Sequence, residues 1–205
     1  MKLTTENGYD LFEVASALQK TIRRGLEEEA MFWALELEGR YGAFLWKRLA
    51  VIASEDVGPA DSSIAVLIHA LYDHYREAAK GSTRPQERII LAHAVLVLCR
   101  APKSRIADNL ACVVSHQRDS EGLRREIPDV ALDQHTRRGQ RRGRGLEHWA
   151  TEGCQLAHEV AGLDVYAERA LAMRQRHGRL RPKAKGRRGR QPEQLALDDD
   201  PEEEA

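Results

Sequence analysis

The chain has 205 residues, and its 32 lysine and arginine side chains balance 32 aspartate and glutamate side chains, so the formal net charge is zero. The length and a hydrophobic content of 42% are typical of one soluble domain with a tail. The longest apolar run, residues 89–99, is interrupted by His93 and is shorter than the roughly 20 residues of a membrane-spanning helix. Residues 1–10 lack the pattern of a secretory signal. We therefore expect a cytoplasmic protein without membrane contact.

Apolar residues recur at spacings of three and four along the first part of the chain, which predicts amphipathic helices. The predicted helices cover residues 10–24, 26–37, 43–54 and 64–75. Breaks are expected at Gly25, between Gly39 and Gly42, and in the turn around Gly58. Asp61 is expected to cap the fourth helix.

The next segment, residues 89–98, is apolar on nearly all sides and predicts a central buried helix. Ser104 is expected to cap a further helix through about residue 117. That helix is predicted to face the core with Ile106, Leu110, Val113 and Val114. Weaker helices are predicted over residues 146–160 and 164–174, and no segment alternates with period two. The predicted fold class is all-α, a compact multi-helix domain over residues 8–175.

The zero net charge conceals an uneven distribution along the chain. Residues 1–175 carry 24 basic and 25 acidic side chains, residues 176–190 carry eight basic and no acidic ones, and residues 193–205 carry seven acidic and no basic ones. Glycine, proline and charge dominate from residue 176 onward. Residues 176–205 are therefore predicted to be a disordered tail, basic and then acidic.

Several short phrases punctuate the predicted helices: K-T-I-R-R-G at 20–25, A-M-F-W-A at 30–34, A-S-E-D-V-G at 53–58, A-D at 60–61 and A-P-K-S at 101–104. Their order and spacing resemble the C-terminal region of the RarA/MgsA family, clamp-loader-like AAA+ ATPases of stalled-fork maintenance related to the Werner-helicase-interacting protein. The resemblance covers residues 9–114. It rests most on turn residues Ser54, Glu55, Asp56, Gly58, Asp61, Pro102, Lys103 and Ser104.

Two features depart from the family pattern. Arg105 stands where the family has Asn, and residues 127–139 match a conserved family stretch in position and polarity but not in letters. The sequence also contains no G-x-x-x-x-G-K-[ST] phosphate loop. The resemblance therefore implies an oligomerisation or adaptor module, a homo-oligomer whose partner is a separate AAA+ ATPase, with no catalytic residues and no cofactor.

An arginine-rich segment follows the region of resemblance. It contains Arg137, Arg138, Arg141, Arg142 and Arg144, interleaved with glycines. Arginine makes bidentate contacts with phosphate oxygens, and glycine lets the backbone approach closely, so the segment is a candidate DNA contact. Nearby His135, Thr136 and Trp149 could add polar contacts and one stacking surface. The alternatives are a solvated loop or internal pairing with acidic residues.

The tail supplies two further candidates. A flexible basic arm for DNA backbone contact contains Arg179, Arg181, Lys183, Lys185, Arg187, Arg188 and Arg190, and the acidic end could compete with DNA for it. Gln194, Leu195 and Leu197 resemble the start of the bacterial sliding-clamp-binding motif, although Asp198 stands where a Phe is expected. The alternative is a linker with two incidental leucines.

Metal and catalytic chemistry have weaker support. Cys112 with His116, and Cys154 with His158, are spaced four apart, but each pair offers two ligands where structural zinc needs four, so no metal is expected. The three cysteines contain no C-x-x-C pair and are expected to be reduced. His69 and His93 lie in apolar helical runs and are predicted to be core histidines. The Glu55-Asp56 pair is interpreted as a turn rather than as catalytic carboxylates.

The sequence thus favours a non-catalytic helical oligomerisation or adaptor module in DNA replication, recombination or repair, in the cytoplasm, where it could associate with the nucleoid. Two alternatives stay open. The chain could be a stand-alone enzyme or ligand-binding helical domain with a purely structural resemblance, or a protein–protein scaffold without DNA contact.

Overall fold

The computed structural model describes residues 3–80 and 86–180. The chain divides into two compact units, Met1–Arg124 and Arg125–Ala205. Over the described ranges the regular structure consists of helices, apart from one isolated bridge between Thr4 and Asp10. The prediction of an all-α fold is confirmed. None of the helices in these ranges is long and apolar enough to cross a membrane.

Helix α1, Leu11–Arg24, follows its predicted boundaries closely. The Asp10 carboxylate accepts hydrogen bonds from the backbone N–H groups of Phe12 and Glu13 at 3.0 and 3.2 Å. Such capping pairs donors that the first turn leaves without a partner. Gly25, at a left-handed φ of 72°, ends the helix.

Helix α2, Glu27–Ile52, replaces the two shorter helices predicted from the sequence. The predicted break between Gly39 and Gly42 is a kink at Tyr41, where φ is −125° and ψ is 29°. The Tyr41 hydroxyl donates to the carbonyl oxygen of Thr4 at 3.1 Å. Both halves of the kinked helix contribute to the core, which explains why the glycines bend the helix without replacing it by a loop.

Helices α3, Ser63–Ala78, and α4, Glu87–Arg100, complete the packed core of the first unit. The Asp61 carboxylate accepts the backbone N–H of Ser63 at 3.0 Å, as predicted for a capping residue. Helix α4 packs against α1, α2 and α3 and is the central helix that the sequence predicts. It is not buried on all sides, since Ile89 is exposed. His69 and His93 are also exposed, so their prediction as core histidines is wrong.

Helix α5, Ile106–Asp119, contradicts one prediction. It contacts the turn after α2, which consists of a π-helical segment, Ala53–Val57, and a 3₁₀ turn, Gly58–Ala60. No α5 residue is buried. The apolar residues expected to face the core are exposed: Ile106, Leu110, Val113 and Val114. Periodicity reveals that a helix has an apolar face, but it does not reveal whether the same chain covers that face.

The second unit has shorter helices. A 3₁₀ turn, Asp129–Ala131, precedes α6, Arg137–Arg141, and α7, Leu146–His148, which continues into a π-helical turn, Trp149–Gly153. The predicted helix over 146–160 therefore ends early. Helix α8, Ala167–Leu180, extends past the predicted domain end at residue 175.

Candidate assembly and nucleic-acid surfaces

The S-E-D phrase forms an ion-pair network in the first unit. Asp56 is 1% exposed and accepts hydrogen bonds from Arg23 Nε at 2.7 Å and Gln19 Nε2 at 3.2 Å. Arg23 Nη2 also donates to Glu55 Oε1 at 3.2 Å. A buried carboxylate must be paired, and here an arginine of the K-T-I-R-R-G phrase supplies the charge. The two carboxylates serve structure, which agrees with their interpretation as a turn.

The A-P-K-S phrase meets the S-E-D phrase directly. The backbone N–H of Ser104 donates to the Asp56 carbonyl oxygen at 2.8 Å. Gly58 has a φ of 50°, and a side chain there would come within 3.8 Å of the Ser104 carbonyl oxygen. Glycine is suited to the positive φ, whereas a separation of 3.8 Å is an ordinary van der Waals contact. Two phrases that lie more than forty residues apart therefore join the start of α5 to the turn after α2.

Lys103 closes the C-terminus of α4 within the same region. Its ammonium donates to the carbonyl oxygens of Leu98, Cys99 and Ala101 at 2.7, 3.0 and 2.7 Å. A cation there complements the negative end of the helix dipole and pairs carbonyls that lack intrahelical donors. Burial lowers the pKa of Lys103 from its ordinary value, although nearby Cys99 and Asp56 oppose that shift.

Residues at the start of α5 complete the junction. The Ser104 hydroxyl accepts the Ile106 backbone N–H at 3.3 Å, in agreement with its predicted capping role. Arg105, which departs from the family pattern, pairs with Glu55 at 3.4 Å and with Asp108. The substitution therefore adds a cation to the acidic turn. The sequence phrases predicted the turn. The pairing of Arg23 with Asp56 could be recognised only in the structure, because the two residues lie on different elements.

The exposed apolar face of α5 is the clearest candidate assembly surface. Its four apolar residues are between 44% and 64% exposed and follow a spacing of four, three and one, which places them on one side of the helix. We call this set, Ile106, Leu110, Val113 and Val114, the α5 face. A contiguous exposed apolar row marks sites of protein–protein contact more often than a scattered residue does.

The arginine-rich segment divides into two groups in the second unit. Arg142 Nη1 donates to Asp129 Oδ1 at 2.5 Å, and Arg144 donates to the Asp129 carboxylate and to the carbonyl oxygen of Leu132 at 3.0 Å. The hydrogen bond from Arg144 lowers the pKa of Asp129, with Arg142 adding to that effect. Part of this segment therefore follows the internal-pairing alternative.

The other group comprises Arg137, Arg138 and Arg141, which we call the α6 arginines. All three are exposed, and none forms an ion pair with a described residue. Thr136 caps their helix by accepting the Gly139 N–H at 3.0 Å. A side chain at Gly139 would come within 1.9 Å of the Asp133 carbonyl oxygen, so glycine permits the close packing that positions these arginines.

The neighbouring candidates His135 and Trp149 each contact another side chain of the second unit. The His135 ring nitrogen Nδ1 lies 2.7 Å from Asp133 Oδ2, and the Arg174 guanidinium lies 4.8 Å from the Trp149 ring centroid. Arg174 thus covers a face of the indole that base stacking would need. No group of three metal-ligating side chains occurs in the described part of the chain.

The tail candidates fall outside the part that the structure describes. These are Arg181, Lys183, Lys185, Arg187, Arg188, Arg190, Gln194, Leu195 and Leu197. Arg179 lies in the last turn of α8. The basic arm and the clamp-like motif therefore stay predictions.

These features define a helical module of the kind found at the C-terminus of AAA+ ATPases. The family model described as MgsA AAA+ ATPase C terminal matches residues 27–159, and the chain belongs to this family. The chain is 32% identical over 139 residues to replication-associated recombination protein A of Bacillus subtilis, covering 67% of this chain and 32% of the relative. It is 28% identical over 134 residues to the protein of that name from Haemophilus influenzae, covering 64% of this chain and 28% of the relative. The chain thus spans about a third of the length of these relatives.

Proposed function

We propose that this chain is a non-catalytic assembly module in DNA replication, recombination or repair, which forms a homo-oligomer through the α5 face. The observation that carries the proposal is the exposed apolar row on a helix held at its start by the Ser104–Asp56 hydrogen bond. Burying such a row between copies removes apolar surface from water, which is the dominant favourable term in most protein association. A separate AAA+ ATPase is the partner that the family relationship favours.

DNA contact is the second part of the proposal. The α6 arginines are exposed and close together in sequence, and they carry no ion pair within the described residues. The basic arm, if it acts with them, adds backbone contacts without sequence preference. Both features support contact with DNA, and we propose that the module works in the cytoplasm, associated with the nucleoid. The sliding clamp is a further proposed partner, through Gln194, Leu195 and Leu197.

Light scattering on the full chain tests assembly. The Leu110→Glu/Val113→Glu variant places two charges in the α5 face and is expected to reduce the oligomer to a monomer. Ser115→Glu is the matched control, because Ser115 is exposed on another side of α5 and should leave the mass unchanged. A monomeric wild type, or equal effects of the two variants, would contradict assembly through this face.

DNA contact is tested separately by fluorescence anisotropy with labelled DNA. Replacing the three α6 arginines by Ser is expected to weaken binding and to reduce the salt dependence by roughly 0.9 in slope for each phosphate that an arginine no longer neutralises. Arg125→Ser changes an exposed arginine elsewhere in the same unit and serves as the control. An unchanged slope in the triple variant would exclude contact through α6. Deleting residues 176–205 from the same chain measures how much of the DNA affinity the basic arm contributes.

A further inference from the structure

A groove between α2 and α3 offers a second surface, separate from the α5 face. Its volume is about 260 Å³, and the exposed alanines Ala43, Ala50 and Ala65 leave it open to solvent. Trp46, which is 3% exposed, and Tyr72 are its aromatic lining residues and form its apolar wall. We call it the α2–α3 groove. Ligand pockets for whole small molecules span roughly 300–1,000 Å³, so this volume suits a few side chains of a peptide better.

The edge of the groove carries basic side chains. Lys47 and His69 line it, and the Arg76 guanidinium lies 5.6 Å from the centroid of the Tyr72 ring. One acidic side chain is near, since Asp73 lies 3.9 Å from His69 Nε2. The indole nitrogen of Trp46 is buried without an acceptor among the described residues. The groove therefore favours an occupant that combines apolar side chains with carboxylates.

This chain itself contains such a segment. Residues 195–200 read Leu-Ala-Leu-Asp-Asp-Asp, and Leu195 and Leu197 are the only large apolar side chains in residues 181–205. In an extended peptide, side chains two apart face the same way, so both leucines could enter one groove while Ala196 faces away. The three aspartates follow immediately. Composition and charge thus complement the apolar wall and the basic edge.

We propose that residues 195–200 dock in the α2–α3 groove, with the two leucines against Trp46 and Tyr72 and the aspartates beside Lys47 and Arg76. Fifteen residues lead from Leu180 to Leu195, which is about 50 Å of extended chain, and either the same copy or a neighbouring copy supplies the segment. Docking withholds the leucines from any other partner, including a sliding clamp. The clamp motif and the groove therefore compete for one peptide.

The test uses the full chain with its own tail disabled by Leu195→Ser and Leu197→Ser. A fluorescent peptide of residues 191–205 is titrated with this protein, and anisotropy is measured. Saturable binding is expected. Adding Ala65→Glu, which places a carboxylate in the groove, is expected to weaken binding at least tenfold, or about 1.4 kcal/mol. Ala70→Glu is the matched control, being an exposed alanine of the same helix that does not line the groove, and it should change binding less than about twofold.

Variants of the peptide show which of its side chains contribute to binding in the groove. A peptide with Leu195→Ser and Leu197→Ser is expected to bind at least about tenfold more weakly, because each leucine loses its burial. Gln194→Ala should leave groove binding unchanged, whereas a clamp motif needs that glutamine. Lys47→Glu in the protein should weaken binding most at low salt. The absence of saturable binding, equal effects of Ala65→Glu and Ala70→Glu, or equal affinity of the leucine-free peptide would each overturn the proposal. None of these outcomes bears on assembly through the α5 face.

Discussion

The Ser104 backbone N–H and the Asp56 carbonyl oxygen, 2.8 Å apart, connect two sequence phrases that are separated by α3 and α4. The Asp56 side chain is buried on the other side of the same residue, where it accepts the Arg23 Nε at 2.7 Å. One residue therefore links α1, the turn after α2 and the start of α5. The first prediction concerns that residue.

Asp56→Asn keeps the shape of the side chain but removes the charge that pairs with Arg23. We expect the free energy of unfolding to fall by about 1.5–3 kcal/mol, the range for a hydrogen bond to a charged group. Chemical denaturation followed by circular dichroism measures it. Asp73→Asn removes a carboxylate whose side chain is 56% exposed, and should change stability by less than about 0.5 kcal/mol. Equal decreases in the two variants would show that the buried pair has no special role.

Lys103→Met is expected to destabilise the first unit by about 1–3 kcal/mol, because three carbonyl oxygens at the end of α4 lose their donor. The same denaturation experiment measures the decrease. Lys80→Met is the comparison, since Lys80 is exposed and pairs with the equally exposed Glu77. A stable Lys103→Met protein would mean that water replaces the ammonium at little cost.

Gly139→Ala is expected to disturb the second unit, since the new methyl group would lie 1.9 Å from the Asp133 carbonyl oxygen. Overpacking of this kind costs about 1–3 kcal/mol. Limited proteolysis between residues 125 and 180 detects the disturbance. Gly145→Ala has no atom within 4 Å of the added methyl group and is the control. If both variants resist the protease as well as the wild type does, the packing at Gly139 is looser than the structure indicates.

The cysteines are expected to react at different rates. Burial raises the pKa of the Cys99 thiol from 9.0 to about 11, which lowers its thiolate fraction at pH 8 by about 100-fold. Cys112 and Cys154 are exposed. Iodoacetamide at pH 8 followed by peptide mass spectrometry should therefore label the exposed pair first, and Cys99 only after denaturation. Rapid labelling of native Cys99 would contradict its burial.

Acid should loosen the Asp129 contacts. Because Arg144 and Arg142 lower the pKa of Asp129 from its ordinary 3.8, the ion pair stabilises the folded state above that pH and this contribution is lost as the pH falls through the lower folded value. Protease susceptibility of residues 125–145 should rise as the pH falls below about 4. In Asp129→Asn this pH dependence should disappear. A rise of the same size in the variant would assign the effect to other carboxylates.

The helices were predictable where apolar residues recur with a helical period and one face is buried within the chain, as in α1 and α3. The same rule gave a wrong prediction for α5. Its apolar face has the period of a core helix and was predicted to be buried, but it is exposed. It also missed that α2 continues through Tyr41. In the arginine-rich segment, composition alone could not separate Arg144, paired with Asp129, from the exposed Arg138. That division depends on contacts with a residue more than ten positions away.

Helix α5 contacts the turn after α2, and the hydrogen bond from the Ser104 N–H to the Asp56 carbonyl oxygen holds its start. Fourteen residues of helix extend about 21 Å, so a tilt of about 10° at the Ser104–Asp56 hydrogen bond moves the far end by about 4 Å. Such a tilt would shift the α5 face relative to the rest of the first unit, since the Arg23–Asp56 pair holds the turn at its other side. In the proposed assembly, the spacing between copies would then depend on the packing around Asp56 as well as on the α5 face itself.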